Sequence, residues 1–221
     1  MSGSDTLAHY RQVLDSVSYS STNQNPTNSG ADPTRTVSWL VNDGTLKSAT
    51  QTTTVNIAAT LFSSSSKPST VTENDPNAVD LGVKFQASTS GTITGIRFYK
   101  GPQNTGTHIG DLWSASGTLL ASATFTNETA SGWQQVNFST PVSITAGTTY
   151  IASYHTNVGE YSANANYFAN AHTSGPLTAP SSTSSGGNGV YAYGSSNLFP
   201  TSTFNASNYW VDVLFKGQLA A

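Results

Sequence analysis

Gly95-Ile96-Arg97-Phe98-Tyr99 places Ile96 and Phe98 at alternate positions, with Arg97 between them. A period of two marks a half-buried β-strand, because successive side chains point to opposite faces. The alternation recurs in both directions from this stretch. Upstream, Val83 and Phe85 alternate. Downstream, residues 111–114 lead through a Ser116-Gly117 turn into residues 119–125, and residues 133–138 follow a Ser131-Gly132 turn. Residues 141–144 precede Ala146-Gly147, and Thr149-Tyr150-Ile151-Ala152-Ser153-Tyr154 then runs as a strand. Residues 190–193 and 209–215 complete the set. Short strands at this spacing predict an all-β fold, an antiparallel β-sandwich of jelly-roll type. The polar stretch over residues 159–189 is long for an ordered loop, which points to a function or to a bound ligand or ion.

The first part of the chain reads differently. Leu7, Tyr10 and Leu14 share one helical face, and Ser4 or Asp5 can cap a short N-terminal helix over residues 5–14. Strands are expected over residues 16–20, 34–41 and 50–58, with Asn42-Asp43-Gly44 as a hairpin turn. Three strands are too few to close a sandwich. The serine-rich run Ser63-Ser64-Ser65-Ser66-Lys67-Pro68 reads as a linker. The expected organisation is a partial repeat over residues 1–58, a linker over 59–67 and a β-sandwich domain over 68–217. The opening residues, Met1 to Thr6, lack the charged and apolar regions of a signal peptide and read as a remnant on an excised fragment.

Composition narrows the function. Only 9% of the 221 residues are charged and the net charge is −3. The surface must therefore consist largely of Ser, Thr, Asn, Gln and Gly. The eight Lys and Arg residues are scattered, so nucleic-acid binding is not expected, since it needs clustered cations. No apolar run is long enough for a membrane helix, so no membrane insertion is expected. Cysteine is absent, which excludes a disulfide framework and thiolate metal sites. This profile fits an extracellular or cell-surface bacterial protein.

Several runs carry a resemblance to a known family. They are Val79-Asp80-Leu81-Gly82-Val83-Lys84-Phe85, Gly95-Ile96-Arg97-Phe98-Tyr99-Lys100-Gly101 and Gly106-Thr107-His108-Ile109-Gly110-Asp111-Leu112-Trp113. Phe125-Thr126-Asn127-Glu128-Thr129-Ala130-Ser131-Gly132-Trp133-Gln134, Tyr150-Ile151-Ala152-Ser153-Tyr154-His155 and Asn208-Tyr209-Trp210-Val211-Asp212 extend the set. Together they resemble the DUF4082 family, a bacterial domain of unknown function. The resemblance implies a β-sandwich module strung among Ig-like, cadherin-like and enzyme domains of a larger secreted polypeptide. Arg35-Thr36-Val37-Ser38-Trp39 and Val41-Asn42-Asp43-Gly44 resemble the C-terminal part of a cadherin-like or Ig-like repeat.

The candidate site rests on aromatic residues, because flat rings stack on the C–H faces of sugars. In Val190-Tyr191-Ala192-Tyr193-Gly194, Tyr191 and Tyr193 share one face. If the valine face is core, both tyrosines point outward. Tyr161, Tyr167 and Phe168 lie in the neighbouring irregular stretch, and Trp210 alternates away from the apolar face of Tyr209, Val211 and Val213. Trp113 and Trp133 are expected in the core. His108 and His155, with Asp111 or Glu128, are placed either to meet a ligand or metal, or to hold loops by hydrogen bonds. Glu73, Asp75 and Asp80 open the domain as an acidic loop that is a candidate for Ca2+, set against a plain solvated loop. No Gly-x-Ser-x-Gly elbow, phosphate loop or His-Glu-x-x-His motif occurs.

The sequence-based expectation is thus a non-catalytic carbohydrate-binding or adhesion module, with a polysaccharide or cell-surface glycan as partner. The alternatives are a calcium-stabilised structural spacer and, less favoured, a glycoside-active hydrolase using carboxylates such as Glu128 and Glu160.

Overall fold

The computed structural model describes residues 34–40 and 45–218, together with Thr6, Ala8, His9 and Gln12. Ala8, His9 and Gln12 are helical. Apart from Thr6, which is not helical, the rest of the expected helix, the expected strand over 16–20 and the Asn42-Asp43-Gly44 turn lie outside the described residues. Strands β1 (Thr34–Trp39) and β2 (Gln51–Asn56) form an antiparallel pair, with Thr34 opposite Asn56 and Trp39 opposite Gln51. The Trp39 indole N–H bonds to Thr53 Oγ1 at 3.1 Å across this pair.

The body is an antiparallel β-sandwich. Its main sheet contains β3 (Val79–Ala87), β5 (His108–Ser114), β6 (Leu119–Thr124), β8 (Tyr150–Thr156), β11 (Val190–Tyr193) and β12 (Ser202–Thr203). The order across it is β12-β11-β3-β8-β5-β6. The short strands β9 (His172–Ser174) and β10 (Leu177–Ala179) extend it, with Leu177 of β10 pairing with Ala87 of β3. The second sheet has the order β13-β4-β7, from β4 (Gly91–Lys100), β7 (Gly132–Ile144) and β13 (Val211–Gly217).

Between the sheets lies the expected alternation. Val83, Phe85, Leu112, Ala152 and Tyr154 meet Ile93, Ile96, Phe98, Val211, Val213 and Phe215. Phe98 stacks on Tyr154 with ring centroids 4.1 Å apart and meets Phe125 edge-on at 4.9 Å. A Cβ at Gly110 would lie 2.9 Å from the Phe125 ring and 3.1 Å from Ile96 Cβ, so glycine here permits the close packing of the two layers.

Both outer faces of the sandwich are covered as well. Residues 59–62 are not a spacer, which corrects the linker expected over 59–67. Leu61 and Phe62 are buried in the core, and Ala59 pairs with Phe215 through both backbone bonds. These residues lie over the second sheet because Asp212 holds them there. Its Oδ1 accepts from Leu61 N at 2.7 Å and its Oδ2 from Phe62 N at 3.0 Å. Arg97, opposite Asp212 in the register, donates to the same carboxylate from Nε at 2.9 Å and Nη2 at 2.7 Å. The guanidinium also donates to Phe62 O and lies 4.3 Å from the Trp133 ring centre. On the far side, the loop over residues 194–201 covers the main sheet, where Phe199 packs on Trp113, Ile151 and Val190. Strand β8 is accordingly buried along its whole length.

Candidate ligand-binding site

Tyr191 and Tyr193 stand opposite Leu81 and Val79 in the β11–β3 ladder. Directly paired residues share a face of a sheet, and Leu81 and Val79 belong to the core. The two tyrosines are therefore on the interior side of the main sheet, near its edge. Val190 is buried too, but in the separate cluster beneath the 194–201 loop. The expectation that a buried valine would turn both tyrosines away from the core is corrected on this point. Tyr191 is half-buried against the core, whereas Tyr193 emerges at the rim with 51% of its surface exposed.

Two further tyrosines complete the rim. The Tyr191 ring lies 5.5 Å from Tyr193 and 6.3 Å from Tyr209, and Tyr161 lies 5.7 Å from Tyr209, all edge-to-face. Asp75 ties the group together. Its Oδ2 accepts from the Tyr193 hydroxyl and, at 3.3 Å, from the Tyr161 hydroxyl, while Asn77 Nδ2 bonds to its Oδ1 at 2.8 Å. Partial burial acts to raise the Asp75 carboxyl. The bonds from Tyr193, Asn77 and Tyr161 outweigh it and hold the group below its ordinary 3.8. The Asp75 segment is held against residues 159–161, where Glu160 N bonds to Asp75 O at 2.8 Å and Glu73 N to Tyr161 O at 2.8 Å. Gly159, at φ 63°, lets the chains approach, because a Cβ there would stand 1.9 Å from Asp75 O.

The other expected contact residues are not on this surface. Trp210 is 3% exposed, packed among Phe62, Trp133 and Tyr167, with its indole N–H bonded to Asn164 Oδ1 at 2.8 Å. It shares the outer face of the second sheet with Asp212, as alternation places it, and is buried there because Phe62 and Tyr167 cover that face. His108 is fully buried, with Nδ1 2.8 Å from Glu128 Oε1 and Nε2 2.9 Å from Asn104 Oδ1. Lys100 Nζ binds the other Glu128 oxygen at 2.7 Å, so both oxygens of this carboxylate are engaged inside the fold. His155 is also buried, with Nδ1 3.0 Å from Asp80 Oδ2.

Burial pushes the His108 imidazole below its ordinary 6.5, against the pull of Glu128; Lys100 and His155 lower it further. As pH falls through 6.5, the unfolded chain takes up this proton before the folded one. The contribution is therefore complete above that value and is lost as pH falls from it towards the depressed folded pKa. We expect the melting temperature to fall on acidification through this window, and the fall to be shallower in His108→Gln, read by thermal denaturation across a pH series.

The acidic set also divides. Asp75 serves the tyrosine rim, while Asp80 lies on the outer face of the main sheet beside His155. Among the described residues, no group of three or more His, Asp or Glu side chains is arranged to hold a metal ion, so Glu73, Asp75 and Asp80 do not form one site. Among the same residues, no helix is long and apolar enough to cross a membrane.

A concavity of about 670 Å3 opens on the outer face of the main sheet, away from the tyrosine rim. Lys84, Gln86, Thr149, Ile151, Pro180 and Phe199 are among its lining residues, and Lys84 Nζ bonds to Ser185 O at 2.9 Å. Sequence reading did not find it, because its walls come from strands and loops far apart in the chain.

The family model described as "Domain of unknown function (DUF4082)" matches residues 65–211. The chain belongs to the DUF4082 family. The match takes in the strands of both sheets up to the start of β13, together with all four rim tyrosines and their Asp75 anchor. In this DUF4082 domain the packed body begins earlier than the match, at Ala59. Comparison with curated proteins finds no match.

Sequence analysis also missed Tyr209 as a rim member and the buried Arg97–Asp212 pair. For the second, a signal was present: a carboxylate inside an apolar strand, Val211-Asp212-Val213, is rarely buried without a partner.

Proposed function

We propose that this protein is a non-catalytic carbohydrate-binding or adhesion module of a larger secreted bacterial polypeptide, acting outside the cell or at its surface. The observation that carries the reading is the tyrosine rim, and above all the Tyr193 ring. It is half exposed, braced edge-on by Tyr191 and held through its hydroxyl by Asp75. A fixed ring presents a flat apolar face at low entropic cost, and the Ser-, Thr- and Asn-rich surroundings supply hydrogen bonds to sugar hydroxyls. The preceding segment, residues 1–58, fits the same reading as part of a cadherin-like or Ig-like neighbour in that polypeptide.

Such modules bind at millimolar to micromolar strength, about −4 to −8 kcal/mol. The test is retention on a polysaccharide panel, followed by titration of the retained ligand. Tyr193→Ala is expected to weaken binding by about tenfold or more, about 1.4 kcal/mol. Tyr193→Phe keeps the ring and most of the affinity. Leu119→Ala, an exposed side chain on the opposite edge strand β6, leaves it unchanged. No retained polysaccharide, or undiminished binding by Tyr193→Ala, overturns the reading.

A further inference from the structure

Asp111 stands on the outer face of the main sheet, in β5 beside the edge strand β6, opposite Ser153 on one side and Ser122 on the other. Its side chain is completely buried. Burial pushes its carboxyl up, and weak hydrogen bonding from the Ser122 and Asn197 side chains opposes that push, but neither carboxylate oxygen has a partner at full hydrogen-bond geometry. Two more buried oxygens nearby are in the same condition, Asp80 Oδ1 and Asn197 Oδ1. The other Asp80 oxygen is occupied by His155 and by Leu198 N at 3.1 Å. Strands β3 and β5 and the 194–201 loop thus bring four unpartnered acceptor oxygens to one covered patch.

With both carboxyls ionised, such an arrangement calls for a compensating charge. A buried carboxylate without donors costs several kcal/mol, and buried charges are paired or coordinate metals. The unmet groups are all oxygens, so the matching partner is a hard cation rather than a zinc-like ion. Two carboxylates, with His155 bonded through Nδ1 to one of them, call for a divalent charge. We propose that Asp80, Asp111 and Asn197 hold a calcium ion beneath the 194–201 loop. The donor set is two carboxylates and an amide oxygen, and it is distinct from the acidic loop at Glu73 and Asp75. The ion clamps the loop to the sheet. That loop carries Phe199, which packs on Trp113 and walls the neighbouring cleft. The site stands independently of the saccharide reading, and its readouts need no sugar.

The test uses the full chain, stripped with a chelator and dialysed free of it. Calorimetric titration is expected to show one calcium ion per chain, and saturating calcium to raise the melting temperature by roughly 5 °C or more. Asp111→Asn, which removes a buried charge while keeping the shape, folds and loses both responses; Asp75→Asn keeps both. If Asp111→Asn fails to fold, Asn197→Ala takes its place, with the affinity for calcium lowered at least about tenfold. Absence of bound calcium in the wild type overturns the proposal. An equal response to magnesium or sodium overturns the choice of ion. Loss of the response in Asp75→Asn with its survival in Asp111→Asn overturns the site.

Discussion

Replacing Asp212 by alanine is expected to destabilise the fold by about 3–5 kcal/mol, the usual cost of removing one member of a buried ion pair. The Arg97 guanidinium would remain under its cover with its charge uncompensated, donating only to Phe62 O. The backbone N–H groups of Leu61 and Phe62 would lose their acceptors in the same step. Against a typical total stability of about 5–15 kcal/mol, a loss of this size removes a large share. Denaturant unfolding read by tryptophan fluorescence is the measurement, because Trp133 lies against Arg97. A change below about 1 kcal/mol, the range of an exposed pair, would show that Asp212 does not organise this layer.

A chain beginning at Ala59 is expected to unfold as cooperatively as the whole protein, whereas one beginning at Ser65 is not. The family match starts at residue 65, but the structure places Leu61 and Phe62 at 1% and 2% exposure. Each such side chain contributes about 1.5–3 kcal/mol when fully buried, so losing both removes roughly 3–6 kcal/mol. Asp212 is then left with Arg97 but without its two backbone donors. Phe62 also sits under the rings of Trp133, Tyr167, His172 and Trp210, which would open to solvent. Strands β1 and β2, by contrast, pair with each other, so their removal leaves both sheets of the sandwich intact. Calorimetry on the two truncations separates the cases. A sharp transition in the shorter chain would refute the assignment of Leu61 and Phe62 to the core.

Both expectations concern contacts between residues far apart in sequence, and this marks where sequence reading stops. Period two is a local property. The alternation at 83–85, 96–98 and 150–154, with glycine turns between, was therefore enough to place strands and a sandwich. The gathering of Tyr191 and Tyr193 on one face followed from the same rule. Which face is interior did not, because this sandwich is covered on both outer sides, and Val190 could be buried in either of two clusters.

The sequence by itself determined the antiparallel all-β body, the positions of most of its strands and a surface poor in charge, since these depend on neighbours one or two residues away. Tertiary structure alone decided that Leu61 and Phe62 belong to the core, that Phe62 and Tyr167 close over the Trp210 ring, and that Asp75 braces Tyr161 and Tyr193. It alone brought Asp80, Asp111 and Asn197 beneath one loop. The reason is physical: a side chain's partners depend on which strands pair and which loops fold over them, and no local period encodes that.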